Sequence, residues 1–106
     1  EFCASQPGFE AHTLHLLGDV AAHPDQFDAE RGETLYHQAL AIAEGLGMRP
    51  LIAHCHLGLS NVYLRTGTHV QAQAHAATAT TMYREMEMTY WLEQTQREIN
   101  TFERDP

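Results

Sequence analysis

Eight histidines in a chain of 106 residues are the first side chains to weigh for chemistry, because imidazole ligates metals and exchanges protons near neutral pH. His12 and His15 stand three apart on one helical face and could offer two metal ligands, with His54 as a third and Asp19 as a carboxylate. The run His54-Cys55-His56 looks richer, but its side chains point in three directions around a helix and cannot close on one ion. No spacing has the strength of a paired-cysteine motif, so neither a metal nor a cofactor is expected. Catalysis finds less support. A nucleophile needs an adjacent base and a pocket that excludes water. Cys55 reads as core-facing and Ser60 as a small contact between paired helices, while Glu85, Glu87, Glu93 and Glu98 read as solvated helix faces. The chain is not expected to be an enzyme.

Charge narrows the partners. Fourteen acidic residues oppose six arginines, there is no lysine, and the formal balance is -8 with histidine neutral. A phosphate backbone needs a basic footprint, so neither nucleic acid nor an anionic membrane surface is expected as a partner. Without lysine, Schiff-base chemistry and the usual phosphate-cradling lysine are also excluded. Protonating all eight histidines would bring the formal balance to zero, so association is expected as pH falls from 7 toward 5. Cys3 and Cys55 make no disulfide framework, which fits a reducing, cytoplasmic setting. The lack of an initiator methionine reads as a piece of a longer protein, and the opening Glu1-Phe2 could be a cloning scar.

The elements that must position these groups are helices. Apolar residues recur at helical spacing in five segments, and the pattern repeats when the chain is slid forty residues along itself: Met48 falls on Met88, Ile52 on Leu92 and Leu59 on Ile99. The first segment, about 9 to 22, presents Leu14, Leu17 and Ala21, with Leu16 and Val20 beside them, and stops at Pro24. Asp25 or Asp28 caps the second, whose line of Leu35, Ala39, Ile42 and Leu46 ends at Gly47. Pro50 opens the third, where Ile52, Cys55, Leu59 and Val62 face inward until Gly67. Thr68 and Gln71 have capping-box spacing before the fourth, with Ala72, Ala76, Ala79, Tyr83 and Met86 inward. The pattern resets around Glu87-Met88-Thr89 without glycine or proline, then continues through Leu92, Thr95, Ile99 and Phe102. Trp91 and Tyr90 are expected to cover the end of the preceding pair.

These residues resemble the tetratricopeptide repeat family. His56 takes the place of the family's tryptophan, Leu59-Ser60 that of its Leu-Gly pair, Tyr63 its tyrosine, Gly67 its turn glycine, and Ala72 and Ala79 its two alanines. Ala76 replaces an aromatic residue. In the preceding unit Leu17-Gly18, Gly32, Tyr36 and Ala39 fit the same frame. Leu57-Gly58 is a closer literal match, but that register would leave Gly67 two residues late. The resemblance implies an all-α, right-handed α-solenoid of antiparallel helix pairs: one repeat over about 9–47, a second over about 49–87, and a partial third over about 89–103. The long second helices look like the extended repeats at the carboxyl end of large bacterial signalling proteins that carry cyclase, ATPase or transcription-regulator modules.

In such a stack the first helix of each pair lines a concave groove. Removing the inward stripe leaves His12, His15, Asp19 and His23, then His54, Leu57, Asn61 and Arg65, then Gln94 and Arg97, as groove-facing residues. That polar surface suits a protein or peptide partner, or another domain of the parent chain, whose backbone it could hydrogen-bond. The family also offers a clamp of lysines and asparagines for a terminal carboxylate. Asn61 and Arg65 would be a fragment of it, but the lysines are absent and His15 stands where the first belongs, so that activity is not expected. Two and a half repeats leave a last apolar face, Leu92, Ile99 and Phe102, which makes a homodimer the alternative.

Overall fold

The computed structural model describes residues 7–88 and 91–97, and everything described is helix or short turn. Helix α1 runs Pro7–Ala21, α2 Ala29–Leu46, α3 Arg49–Thr66 and α4 His69–Glu85, and a fifth helical stretch, α5, occupies 91–97. A 3-10 turn, Pro24–Gln26, joins α1 to α2. Hairpins α1–α2 and α3–α4 are the two main packed pairs, and α2 packs on α3 to join them. No comparable packing joins α1 to α4, as closure into a bundle would require, and the molecule extends over 48 × 32 × 19 Å. The architecture is therefore an open helical array, the expected all-α solenoid.

The three elbows after α1–α2 are built alike. Gly47, Gly67 and Glu87 each adopt a left-handed backbone, at φ of 70°, 84° and 57°. Behind each, the next amide reaches back to a carbonyl in the last turn: Met48 N–H to Ala43 O, Thr68 N–H to Tyr63 O, and Met88 N–H to Tyr83 O, at 2.9–3.0 Å. These bonds satisfy carbonyls that a helix end would otherwise orphan. Glycine marks the first two elbows in the sequence; at the third, Glu87 takes the same conformation despite its Cβ, and this is why the boundary carried no signal. At the α2 start, Asp28 is the cap, its carboxylate accepting from the Arg31 amide at 3.1 Å. The Thr68 capping box does not form: Thr68 makes no side-chain cap, and its hydroxyl lies 3.3 Å from that of Thr66.

Helix α3 is central and buried along most of its length, between α2 and α4. One core cluster joins Tyr36, Ala39, Leu40 and Ala43 of α2 to Leu51, Cys55, Leu59 and Val62 of α3. A second joins Ala53 and Leu57 to Ala79 and Tyr83 of α4, with Trp91 and Leu92 packed on its edge. Ser60 is fully buried, as a contact between paired helices should be, though its hydroxyl finds no hydrogen-bond partner among the described residues.

Two inward lines are corrected. On α1 the small residues Ala11, Gly18 and Ala21 face the array with half-buried Leu14, so α1 approaches closely and its bulkier residues rotate outward. Leu17 is 40% exposed, Leu16 63% and Val20 66%. On α2 the buried face centres on Tyr36, Ala39, Leu40 and Ala43, which leaves Leu46 exposed.

Tyr36 explains both shifts. Its ring, 2% exposed, lies in a slot between Gly18 of α1 and Gly58 of α3, where a Cβ would come within 2.9 Å and 2.5 Å of ring carbons. Leu57-Gly58 thus serves the contact between hairpins, not the one within a hairpin. Gly58→Ala should lower unfolding free energy by about 1–3 kcal/mol through overpacking, read from urea denaturation. In the same assay Glu87→Gly should raise it by roughly 1 kcal/mol by relieving the left-handed strain.

Candidate functional site

A cleft of about 270 Å³ opens where α1, α3 and α5 converge. His15 and Asp19 line it from α1 and His54, Leu57 and Asn61 from α3, five of the residues named as groove-facing, together with Gly58, which was not. Tyr36 of α2 forms the floor and Trp91 of α5 the far wall. These last two are absent from the groove positions read from the sequence. Tyr36 was read only as the aromatic position of the first repeat, and nothing in a linear pattern shows that two glycines let its hydroxyl through to the other side.

That hydroxyl donates to Asp19 Oδ1 at 2.5 Å, while Asp19 Oδ2 lies 3.6 Å from His15 Nδ1. Burial, and then the Asp19 carboxylate, push the Tyr36 hydroxyl far above its ordinary range, so it stays protonated and donates to Asp19. His54 Nδ1 lies 2.7 Å from the Tyr83 hydroxyl, and the His54 ring meets the Trp91 ring edge-on at 4.6 Å between centroids. Trp91 in turn stacks on Tyr83 at 6.2 Å. Burial, followed by the proximity of His15, lowers the His54 pKa, with Asp19 opposing the shift. The cleft therefore has aromatic walls and one fixed carboxylate.

The remaining groove positions lie elsewhere. His12 is exposed, and its charge works against protonation of His54 without lining the cleft. His23 caps the 3-10 turn, its Nδ1 accepting from the Asp25 amide at 3.2 Å. Arg65 is exposed and places its guanidinium 5.6 Å from the centre of the Phe27 ring. Gln94 is half-buried and Arg97 exposed, and neither lines the cleft. Of the apolar end face, Leu92 packs on the second cluster, while Ile99 and Phe102 fall outside the described residues. Tyr90 also falls outside them, but Trp91 covers the end of the α3–α4 pair as expected.

His54, Cys55 and His56 diverge as the helical geometry requires. His54 enters the cleft, and Cys55 is fully buried, its thiol pushed up to about 12 chiefly by burial. His56 turns to the opposite side, where its Nδ1 lies 2.9 Å from His75 Nδ1 of α4. Tyr63 stacks on His75 at 5.5 Å and donates to Glu33 Oε2 at 2.6 Å, with His37 Nε2 4.0 Å from the same oxygen. Among the described residues, no three His, Cys, Asp or Glu side chains converge closely enough to hold a metal ion. None of the described helices is long and apolar enough to cross a membrane.

His54, His56 and His75 all have pKa values lowered in the folded chain, each mainly by burial, so the unfolded chain takes up protons first as the medium acidifies. Their contribution to stability is complete above the ordinary histidine value of about 6.5 and is lost as pH falls below it. The urea midpoint should accordingly drop between about pH 7.5 and 5.5. A His56→Gln/His75→Gln chain should show a flatter dependence over that interval.

A family model described as tetratricopeptide repeat matches residues 9–85. No curated protein and no solved structure matches the chain.

Proposed function

Because the chain belongs to the tetratricopeptide repeat family, we propose that it is a protein-interaction module that holds a segment of a partner protein in the cleft between α1, α3 and α5. The observation that carries this reading is the convergence of His15, Asp19, His54, Leu57 and Asn61, drawn from two helices about forty residues apart, on one concave surface with Trp91. Polar side chains on adjacent helices can meet the backbone of an extended or helical segment, and an indole beside them supplies contact area at low entropic cost. The partner is another protein or a neighbouring domain of a longer chain. The long second helices, similar to those of bacterial signalling proteins, fit relay between such domains inside the cell.

Panning a random-sequence peptide library against the protein tests the reading. Selected peptides should bind about tenfold more weakly to Asn61→Ala, which corresponds to ~1.4 kcal/mol. Arg65→Ala, outside the cleft, should change affinity less than twofold. Equal loss in both variants would place binding elsewhere.

A second reading, self-association, is favoured by one observation: Phe9, Leu16, Leu17 and Val20 leave an apolar face of α1 in solvent. Sedimentation equilibrium over a dilution series should show a reversible dimer that Leu16→Glu/Val20→Glu abolishes. A wild-type chain monomeric at every concentration would remove this reading.

A further inference from the structure

We propose that the cleft is a cation receptor, taking the guanidinium or ammonium head of a basic peptide side chain, with arginine preferred, against Asp19 and the Trp91 ring. The inference rests on the reading of the cleft as a peptide site and specifies its occupant. Three observations carry it.

The first is charge. Of the described residues lining the cleft, Asp19 alone carries a formal charge at neutral pH when histidine is neutral, and no described arginine lines it. Burial keeps His54 below its ordinary pKa, so this imidazole adds no positive charge there at neutral pH. The chain as a whole carries -8, which draws cationic partners and repels acidic ones.

The second is orientation. Tyr36 fixes Asp19 Oδ1 with a hydrogen bond from a buried hydroxyl, and the carboxylate, which lines the cleft, is nevertheless half exposed, with Oδ2 3.6 Å from His15 Nδ1. A carboxylate held in this way meets a cation without first losing rotamer freedom. The third is the wall. Trp91, partly exposed, is set by its contacts with His54 and Tyr83, and indole is the best aromatic acceptor for a cation above its ring. A planar guanidinium can stack there and pair with a carboxylate through its fork, which a compact ammonium does less well.

Trp91 is the sole tryptophan, so its emission reports on this cleft directly. The probes are blocked decapeptides of glycine and serine carrying three arginines, three glutamines or three glutamates, titrated into the wild-type chain and into Asp19→Asn. Asparagine can still accept from Tyr36, and circular dichroism checks the fold. The arginine peptide should give a saturating change in Trp91 emission with an affinity at least tenfold above the glutamine peptide, and Asp19→Asn should erase most of that difference. Free N-acetylarginine amide should bind more weakly than the peptide; equal affinity would overturn a peptide as the occupant. Equal binding of arginine and glutamine peptides, or no effect of Asp19→Asn, would overturn the cation receptor. If the glutamate peptide binds best and Asn61→Ala weakens it, the peptide cleft stands and its cationic specificity falls. If library-selected peptides and all three probes fail to bind, both readings fall together.

Discussion

The contact on which the rest depends is the insertion of Tyr36 between Gly18 and Gly58. One ring from α2 fills the space between the first helices of two successive hairpins, and only residues without a Cβ allow those backbones to come so near. It sets the spacing of α1 against α3, which is otherwise a narrow contact. It also carries a hydroxyl through the array to Asp19 on the far side. Packing and the electrostatics of the cleft thus meet in one side chain. In an open array each unit is held chiefly by its neighbours, so a contact that spans three helices has more influence than its area suggests.

The two faces of α3 divide the histidines by environment. His54 looks into the cleft and is ordered by a tyrosine and an indole, while His56 meets His75 on the other side, close to Glu33, His37 and Tyr63. Two imidazole nitrogens 2.9 Å apart accommodate one proton between them and resist a second. The many histidines therefore have unlike roles: His23 caps a turn, His54 shapes a wall, and His56 and His75 join α3 to α4.

Much of this was legible in the residues. Helical period, Pro50 in the first turn of α3, and glycine at two elbows located the described helices to within a few residues, because each rule is local. The third elbow was placed correctly at Glu87 only by a change of pattern, since its left-handed backbone has no compositional mark. Leucines on α1 misled for a different reason. Hydrophobicity alone points Leu17 inward, whereas tertiary packing chose the small residues and turned the leucines out. Half of the positions taken from the polar side of first helices line the cleft, and that procedure could not reach Tyr36, which crosses from a second helix, or Trp91, which had been read as an end cover. His23 and Arg65 were drawn away by the nearby turn and by Phe27, contacts that depend on how the loop folds back.

The regular interval between left-handed residues, at 47, 67 and 87, constrains how such a chain can change in length. Adding one residue inside α3 or α4 would turn every later side chain by about 100° about the axis and point the buried ladder at water. The segment between α1 and α2 is different: its seven residues, with a 3-10 turn closed by the Asp28 amide on Ala21 O, already take up more chain than the tight elbows do. Insertions and deletions in chains of this design should collect there, where slack can be absorbed without rephasing the helices downstream.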